Sequence, residues 1–256
     1  MAFSESVIRA VLGLEVDVMH AYARIISDTD PEALHDLRIA VRRLRSLLKP
    51  LQLVELAVEL DSAAAALGEA TNPVRDMEVM AVELERHGLL VQASIRKQAV
   101  RKWCRQAEDC SEINRFLKAI DDWPASFRQA IAEGRVDNLK ATATKRIRLQ
   151  LKRLLLALEA PDHDRHDIRL KVKRARYSLD AYPGLCSLPA TTRSALKELQ
   201  TVLGDWHDYH QWCLMAQEQA DLRLLISDWC VARTAALAQA EDLMARFAKQ
   251  LCKSIK

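Results

Sequence analysis

His35-Asp36-Leu37-Arg38-Ile39-Ala40-Val41-Arg42-Arg43-Leu44-Arg45 returns 131 residues later as His166-Asp167-Ile168-Arg169-Leu170-Lys171-Val172-Lys173-Arg174-Ala175-Arg176. Both copies read H-D-[LI]-R-[IL]-x-V-[RK]-R-x-R. On a helix advancing about 100° per residue, His35, Arg38, Arg42, Arg45 and Lys49 share a sector of about 80°. Leu37, Val41, Leu44, Leu48 and Leu51 lie roughly opposite and form an apolar stripe. The second copy sets His166, Arg169, Lys173 and Arg176 against Ile168, Val172, Ala175, Leu179 and Tyr182. A solvated helix face would intersperse both signs of charge. Here acidic partners are nearly absent from the stripes, and only Asp180, at the end of the second, breaks the sign. Like charges three and four residues apart repel, so two matched rows of this kind point to a polyanionic ligand.

The rest of the chain bounds that reading. It has 256 residues, half of them hydrophobic, and a net charge of only +3, so its positive charge is local and not a diffuse coat. Six cysteines are scattered without a C-x-x-C pair, which suits neither a disulfide framework nor a zinc site. The first residues lack the basic and apolar runs of a signal peptide, and no uncharged stretch of about 18 apolar residues appears. The expectation is a soluble cytoplasmic protein with no membrane contact.

Glycine (6) and proline (7) are scarce, and apolar spacing near 3.6 runs throughout, so the fold class is all-α. A first helix is expected over about 6–26. Asp30 and Pro31 open a second that carries the first basic row to Pro50. A third covers Leu51 to Leu67 and stops at Gly68, and Asn72-Pro73 opens a fourth. Further helices are expected over about 92–109, 112–120 and 124–133, with Gly134 as the seam between an N-terminal half, 1–134, and a C-terminal half, 135–256. The second half repeats the order. A helix over about 138–159 precedes one opened by Pro161 and Asp162 that carries the second row to Pro183. A helix over 190–203 ends in Leu-Gly, Asp205-Trp206-His207-Asp208 opens its successor, and a last helix covers about 220–252. The repeat implies a single domain of two pseudo-symmetric, four-helix-bundle-like halves, with the two rows on opposite walls of a basic groove.

Arginine presents a planar fork of donors and stays charged at any relevant pH, which suits phosphate. A histidine beside an anionic oxygen protonates more readily. His35, Arg38, Arg42, Arg45, Lys49, His166, Arg169, Lys173 and Arg176 are therefore the candidate contacts. Arg43 and Arg174 lie on the flank of each row, where acids of neighbouring helices would pair them. Arg43, Arg75, Arg174 and Tyr177 are weaker candidates. Asp76 and Asp208 read as anchors that hold the arginines in place. Nucleic acid is the less favoured ligand, because base stacking needs aromatics and only 5% of the chain is aromatic. The tryptophans read as core or helix-junction residues. The His-Asp dipeptides at 35, 166 and 207, with His163 and His210, raise the alternative of a metal phosphohydrolase acting on polyphosphate or nucleotides. Cationic rows are a poor place for a divalent ion, so no metal or cofactor is expected. A third reading is a scaffold that receives nucleic acid or an acidic protein segment.

The doubled H-x-x-R-x-x-x-[RK]-R-x-R row, each copy followed after a helix by Leu-Gly and then [RH]-D, resembles the CHAD family (conserved histidine α-helical domain) from about residue 5 to 250. The resemblance implies two helical-bundle halves with a basic cavity between them. It also implies binding of inorganic polyphosphate without catalysis, and association with polyphosphate granules in some bacteria. The family's histidines carry to His35 and His166, and its basic positions to Arg38, Arg42, Arg45, Arg169, Lys173 and Arg176. Such domains often follow a CYTH triphosphatase domain. None is present in this sequence, so a stand-alone domain without that activity is expected. The second half departs from the arginine-aspartate pattern at His207-Asp208, and Lys173 keeps charge but loses the fork.

Overall fold

The computed structural model describes residues 2–51 and 54–255. Among them are nine α-helices and no strand: α1 (Ala2–Ile26), α2 (Ala33–Leu48), α3 (Glu55–Arg86), α4 (Leu90–Cys104), α5 (Ser111–Ala132), α6 (Leu139–Glu159), α7 (Arg165–Ala181), α8 (Ala190–Glu218) and α9 (Ile226–Ile255). No helix among the described residues is long and apolar enough to cross a membrane.

The stripes read from the sequence are buried as expected. Leu37, Val41, Leu44, Leu48 and Leu51 are core residues in the first copy, and Ile168, Val172, Ala175, Leu179 and Tyr182 in the second. Burial of five such side chains gives each basic helix one fixed face, which turns its cationic row outward. α7 is opened by Asp164, whose carboxylate accepts the His166 N–H at 2.8 Å. The Asp30 carboxylate accepts the Glu32 N–H at 2.9 Å just ahead of α2.

Six helices expected to be separate are three, α3, α5 and α8. Gly68 and Asn72-Pro73 lie inside the single helix α3, and Gly204 lies inside α8. The expected start of the third helix runs into residues 52 and 53, which lie outside the described residues. A terminating glycine needs a left-handed residue and the closing hydrogen bonds that follow it. Those signs occur at Gly88 (φ 74°), where Leu89 N–H reaches the Leu84 carbonyl, and at Gly134 (φ 71°), where Arg135 N–H reaches the Ala130 carbonyl. Gly68 and Gly204 have neither. Buried Ala64, Leu67, Thr71 and Val74 carry the core face of α3 straight through Gly68 and Pro73. Likewise Pro124 lies inside α5, whose Trp123 indole donates to the Leu56 carbonyl of α3 at 3.0 Å. Continuous core contact offsets the roughly 3 kcal/mol that an interior proline costs.

The chain forms two compact units, Met1–Thr142 and Ala143–Lys256. In the first, α1 packs on α2 and α5, and α3 packs on α2, α4 and α5. In the second, α8 is the centre, with α7 on one side and α9 along its length. Each basic helix therefore lies against a long helix of its own unit, α2 on α3 and α7 on α8.

Candidate functional site

In the first unit the row on α2 is wired to α3. Arg38 donates from Nη1 to the Gly68 carbonyl at 3.0 Å and to the Thr71 hydroxyl, and from Nη2 to the Asn72 amide oxygen at 2.7 Å. Thr71 is held in turn by its own hydrogen bond to the Leu67 carbonyl at 2.8 Å. All three acceptors are neutral, so Arg38 is oriented without being neutralised. Burial, and then the like charge of Arg42, push its pKa down, while Asp76 acts in the opposite direction. Asp76 stands within electrostatic reach of Arg38 and Arg75, and its own pKa is raised chiefly by desolvation.

His35 is half-buried, and its pKa is lowered by burial and then by the charge of Arg75. Its imidazole is therefore neutral at neutral pH when no anion is bound. Arg75 hydrogen-bonds Glu78 at 3.0 Å, which ties it to α3 while its charge acts on His35. The end of the row is closed: Arg45 Nε and Lys49 Nζ both reach the buried Asp61 carboxylate, each at 3.0 Å. Arg42 is exposed between these two parts.

The second unit repeats the row with different neighbours. His166 is exposed on α7, and α8 brings the His207 ring to 5.4 Å from it, centroid to centroid. The His207 pKa falls to about 4, first through desolvation and then through the charges of Arg169, His166 and Lys173. Arg169, Lys173 and His207 therefore form one electrostatic cluster. His210 stacks on Trp206, with ring centroids 5.9 Å apart. Arg176 stands over the Tyr177 ring at 5.4 Å and 3.5 Å from Asp180. The Tyr177 hydroxyl lies 3.5 Å from the Gln200 amide of α8. Asp208 follows His207 on α8, in the place that Asp76 holds after Arg75 on α3.

The flanking pair differs from expectation. Arg43 and Arg174 are both exposed, and among the described residues neither has the acidic partner expected from a neighbouring helix. The aspartates of the His-Asp dipeptides serve local ties: Asp36 pairs with Arg24 of α1 at 2.7 Å, and Asp167 with Lys171. His163 hydrogen-bonds Glu241 of α9 at 3.1 Å. Among the described residues no group of three His, Cys, Asp or Glu side chains is arranged to hold a metal ion.

Three sets of residues were not read from the sequence as parts of the site. Thr71 and Asn72 orient Arg38, Asp61 closes the first row, and His207 joins the second. The first depends on α3 being one continuous helix, which the apparent helix break hid, and Asp61 reaches the row from α3, a contact that spacing along α2 does not encode. His207 had a visible signal, since it occupies the position of Arg75.

Two units, each with a basic row over a buried apolar face, make this an all-helical domain. A family model described as CHAD domain matches residues 10–217, so the chain belongs to the CHAD family. A similar solved structure is the crystal structure of the CHAD domain from the plant Ricinus communis. It has a TM-score of 0.69 and 25% sequence identity, covering 97% of this chain and 91% of that one. No curated protein matches the chain.

Proposed function

We propose that the protein binds inorganic polyphosphate through the two basic rows and does not transform it. The observation that carries this reading is the state of Arg38. A half-buried guanidinium is crowded by Arg42 and aimed by three neutral oxygens. Such a group retains its full charge, and its crowding is relieved when an anion arrives. The His207 cluster repeats the pattern in the second unit, where burial, and then the surrounding cations, keep an imidazole neutral. Membership of the CHAD family, which the motif resemblance links to polyphosphate, supports the choice of ligand.

A repeating chain of phosphates without bases suits rows that have charge and few exposed aromatics. The residues proposed as contacts are His35, Arg38 and Arg42 in the first row, and His166, Arg169, Lys173 and Arg176 in the second. Arg45 and Lys49 contribute less, since Asp61 already holds them.

Titration with long-chain polyphosphate tests the reading, run beside single-stranded DNA of matched charge and repeated at several salt concentrations. About six engaged contacts give a log–log salt slope of about −4. The expected result is polyphosphate binding that outlasts DNA binding as salt rises, and at least about 100-fold weaker binding in Arg38→Ala/Arg169→Ala. Equal weak binding of both polymers, unchanged in the double variant, overturns the proposal. So does release of phosphate from the polymer on addition of a divalent metal, which makes the protein a hydrolase.

A further inference from the structure

Within the second unit a cleft of about 350 Å³ opens between α7 and α8. Arg176 and Asp180 line it from α7, and Arg193, Ser194 and Lys197 from α8, beside the buried Leu196. α8 starts at Ala190, so its three contributions lie in its first two turns, and the positive potential of the helix end reaches the first of them, Arg193. Three cations share the cleft with one carboxylate. That carboxylate is loosely engaged, 3.5 Å from Arg176 and 62% exposed. Among the described residues neither Arg193 nor Lys197 has an acidic partner.

The first unit lacks this arrangement for a definable reason. The 131-residue offset of the basic helices carries Lys49 to Asp180, and the 132-residue offset that sets His207-Asp208 in the place of Arg75-Asp76 carries Asp61 to Arg193. Asp61 is the buried acid that draws Arg45 and Lys49 shut, whereas Arg193 is an exposed cation beside the buried Thr192. A cation thus stands on α8 where α3 has an acid, and a second, Lys197, follows four positions later.

We propose that this cleft is a phosphate subsite that extends the second row beyond Arg176, with Arg193 and Lys197 as cationic contacts and Ser194 as a neutral donor. Asp180 acts as a gate on Arg176, which an incoming phosphate displaces. The inference rests on the polyphosphate reading above and adds to it two contacts and a built-in competitor that the repeated motif does not contain.

The test compares Arg193→Ala/Lys197→Ala with Arg246→Ala/Lys249→Ala, an equal change of charge at exposed positions on α9. Polyphosphate titrations at several salt concentrations are run on both, and on Asp180→Asn. The cleft pair is expected to weaken binding at least about tenfold and to make the salt slope shallower by about 1.4, roughly 0.7 for each lost contact. The α9 pair leaves the slope near that of the unmodified protein, and Asp180→Asn binds more tightly. A cleft pair that behaves like the α9 pair, with Asp180→Asn unchanged, overturns the subsite. If Arg38→Ala/Arg169→Ala still abolishes binding in that case, the general reading stands and only the subsite falls. No polyphosphate binding by the unmodified protein overturns both.

Discussion

The two rows begin alike and end differently. Each opens with a histidine and carries basic residues at the next two positions of its stripe, over a buried apolar face. At the far end, the first row sets Arg45 and Lys49 against Asp61, two cations on one acid with 10% side-chain exposure. The second sets Arg176, Arg193 and Lys197 against Asp180, three cations around an acid with 62% exposure. A duplicated motif has thus been put to two uses. In the first unit, the end of the row is a structural tie between α2 and α3. In the second, the same end stays open and keeps its surplus charge. Motif identity alone does not say which cations face a ligand, because the deciding acid sits on the neighbouring helix.

The largest effect that separates the two ends is on stability. Asp61→Asn leaves Arg45 and Lys49 without their shared carboxylate, and is expected to cost about 2 kcal/mol. That corresponds to a fall in Tm of about 6 °C for a chain of this size. Asp180→Asn is expected to change stability by less than about 0.5 kcal/mol, since the pair it breaks is long and exposed. Equal losses, measured by thermal melts of the two variants, break the comparison.

A pH series sharpens it next. His207 titrates at about 4 against an ordinary 6.5, so on acidification the unfolded chain takes up the proton first. Its contribution to stability is full above about 6.5 and is lost progressively as pH falls toward about 4. A phosphate beside the ring favours the charged form, so binding takes up a proton within that window. Polyphosphate affinity is expected to rise as pH falls from 7 to 5, by up to about tenfold per unit. His207→Gln is expected to flatten the profile. A pH-independent affinity in the unmodified protein contradicts a role for His207 in the second row.

Smaller effects probe the neutral support of Arg38. Thr71→Val removes the hydroxyl that accepts from Arg38 and donates to the Leu67 carbonyl. It is expected to cost about 1 kcal/mol and to weaken polyphosphate binding severalfold. The smallest expected change is a gain. Gly204 lies inside α8 with open space where a Cβ would stand. Gly204→Ala is therefore expected to stabilise by about 0.5–1 kcal/mol. A loss of stability there would mean that α8 ends at the Leu-Gly pair after all.

The fold class was legible because it depends on local periodicity, and each apolar residue placed opposite the two rows proved to be buried. Helix ends were less legible. Asn72-Pro73 reads as a helix start and Gly68 as a stop, yet the structure uses Asn72 and the Gly68 carbonyl as acceptors for Arg38, midway along α3. Local propensity favours a break there, and packing of Leu67, Thr71 and Val74 overrides it. The row residues themselves were legible from helical spacing. Their pairing was not, because Asp61, Thr71 and His207 approach from a different helix, at distances that no spacing rule encodes. The one sequence sign that the row ends would differ was Asp180, in the place of Lys49.

The central claim is that both rows are phosphate sites of unequal reach. The most direct test is the salt dependence of polyphosphate affinity for Arg38→Ala/Arg42→Ala and, separately, Arg169→Ala/Lys173→Ala. Each pair is expected to make the slope shallower by about 1.4. A further Arg45→Ala change in the first pair adds little, whereas Arg176→Ala in the second lowers the slope again by about 0.7. Slopes that stay at the unmodified value in both pairs would contradict the account, and the rows would then be solvated helix faces.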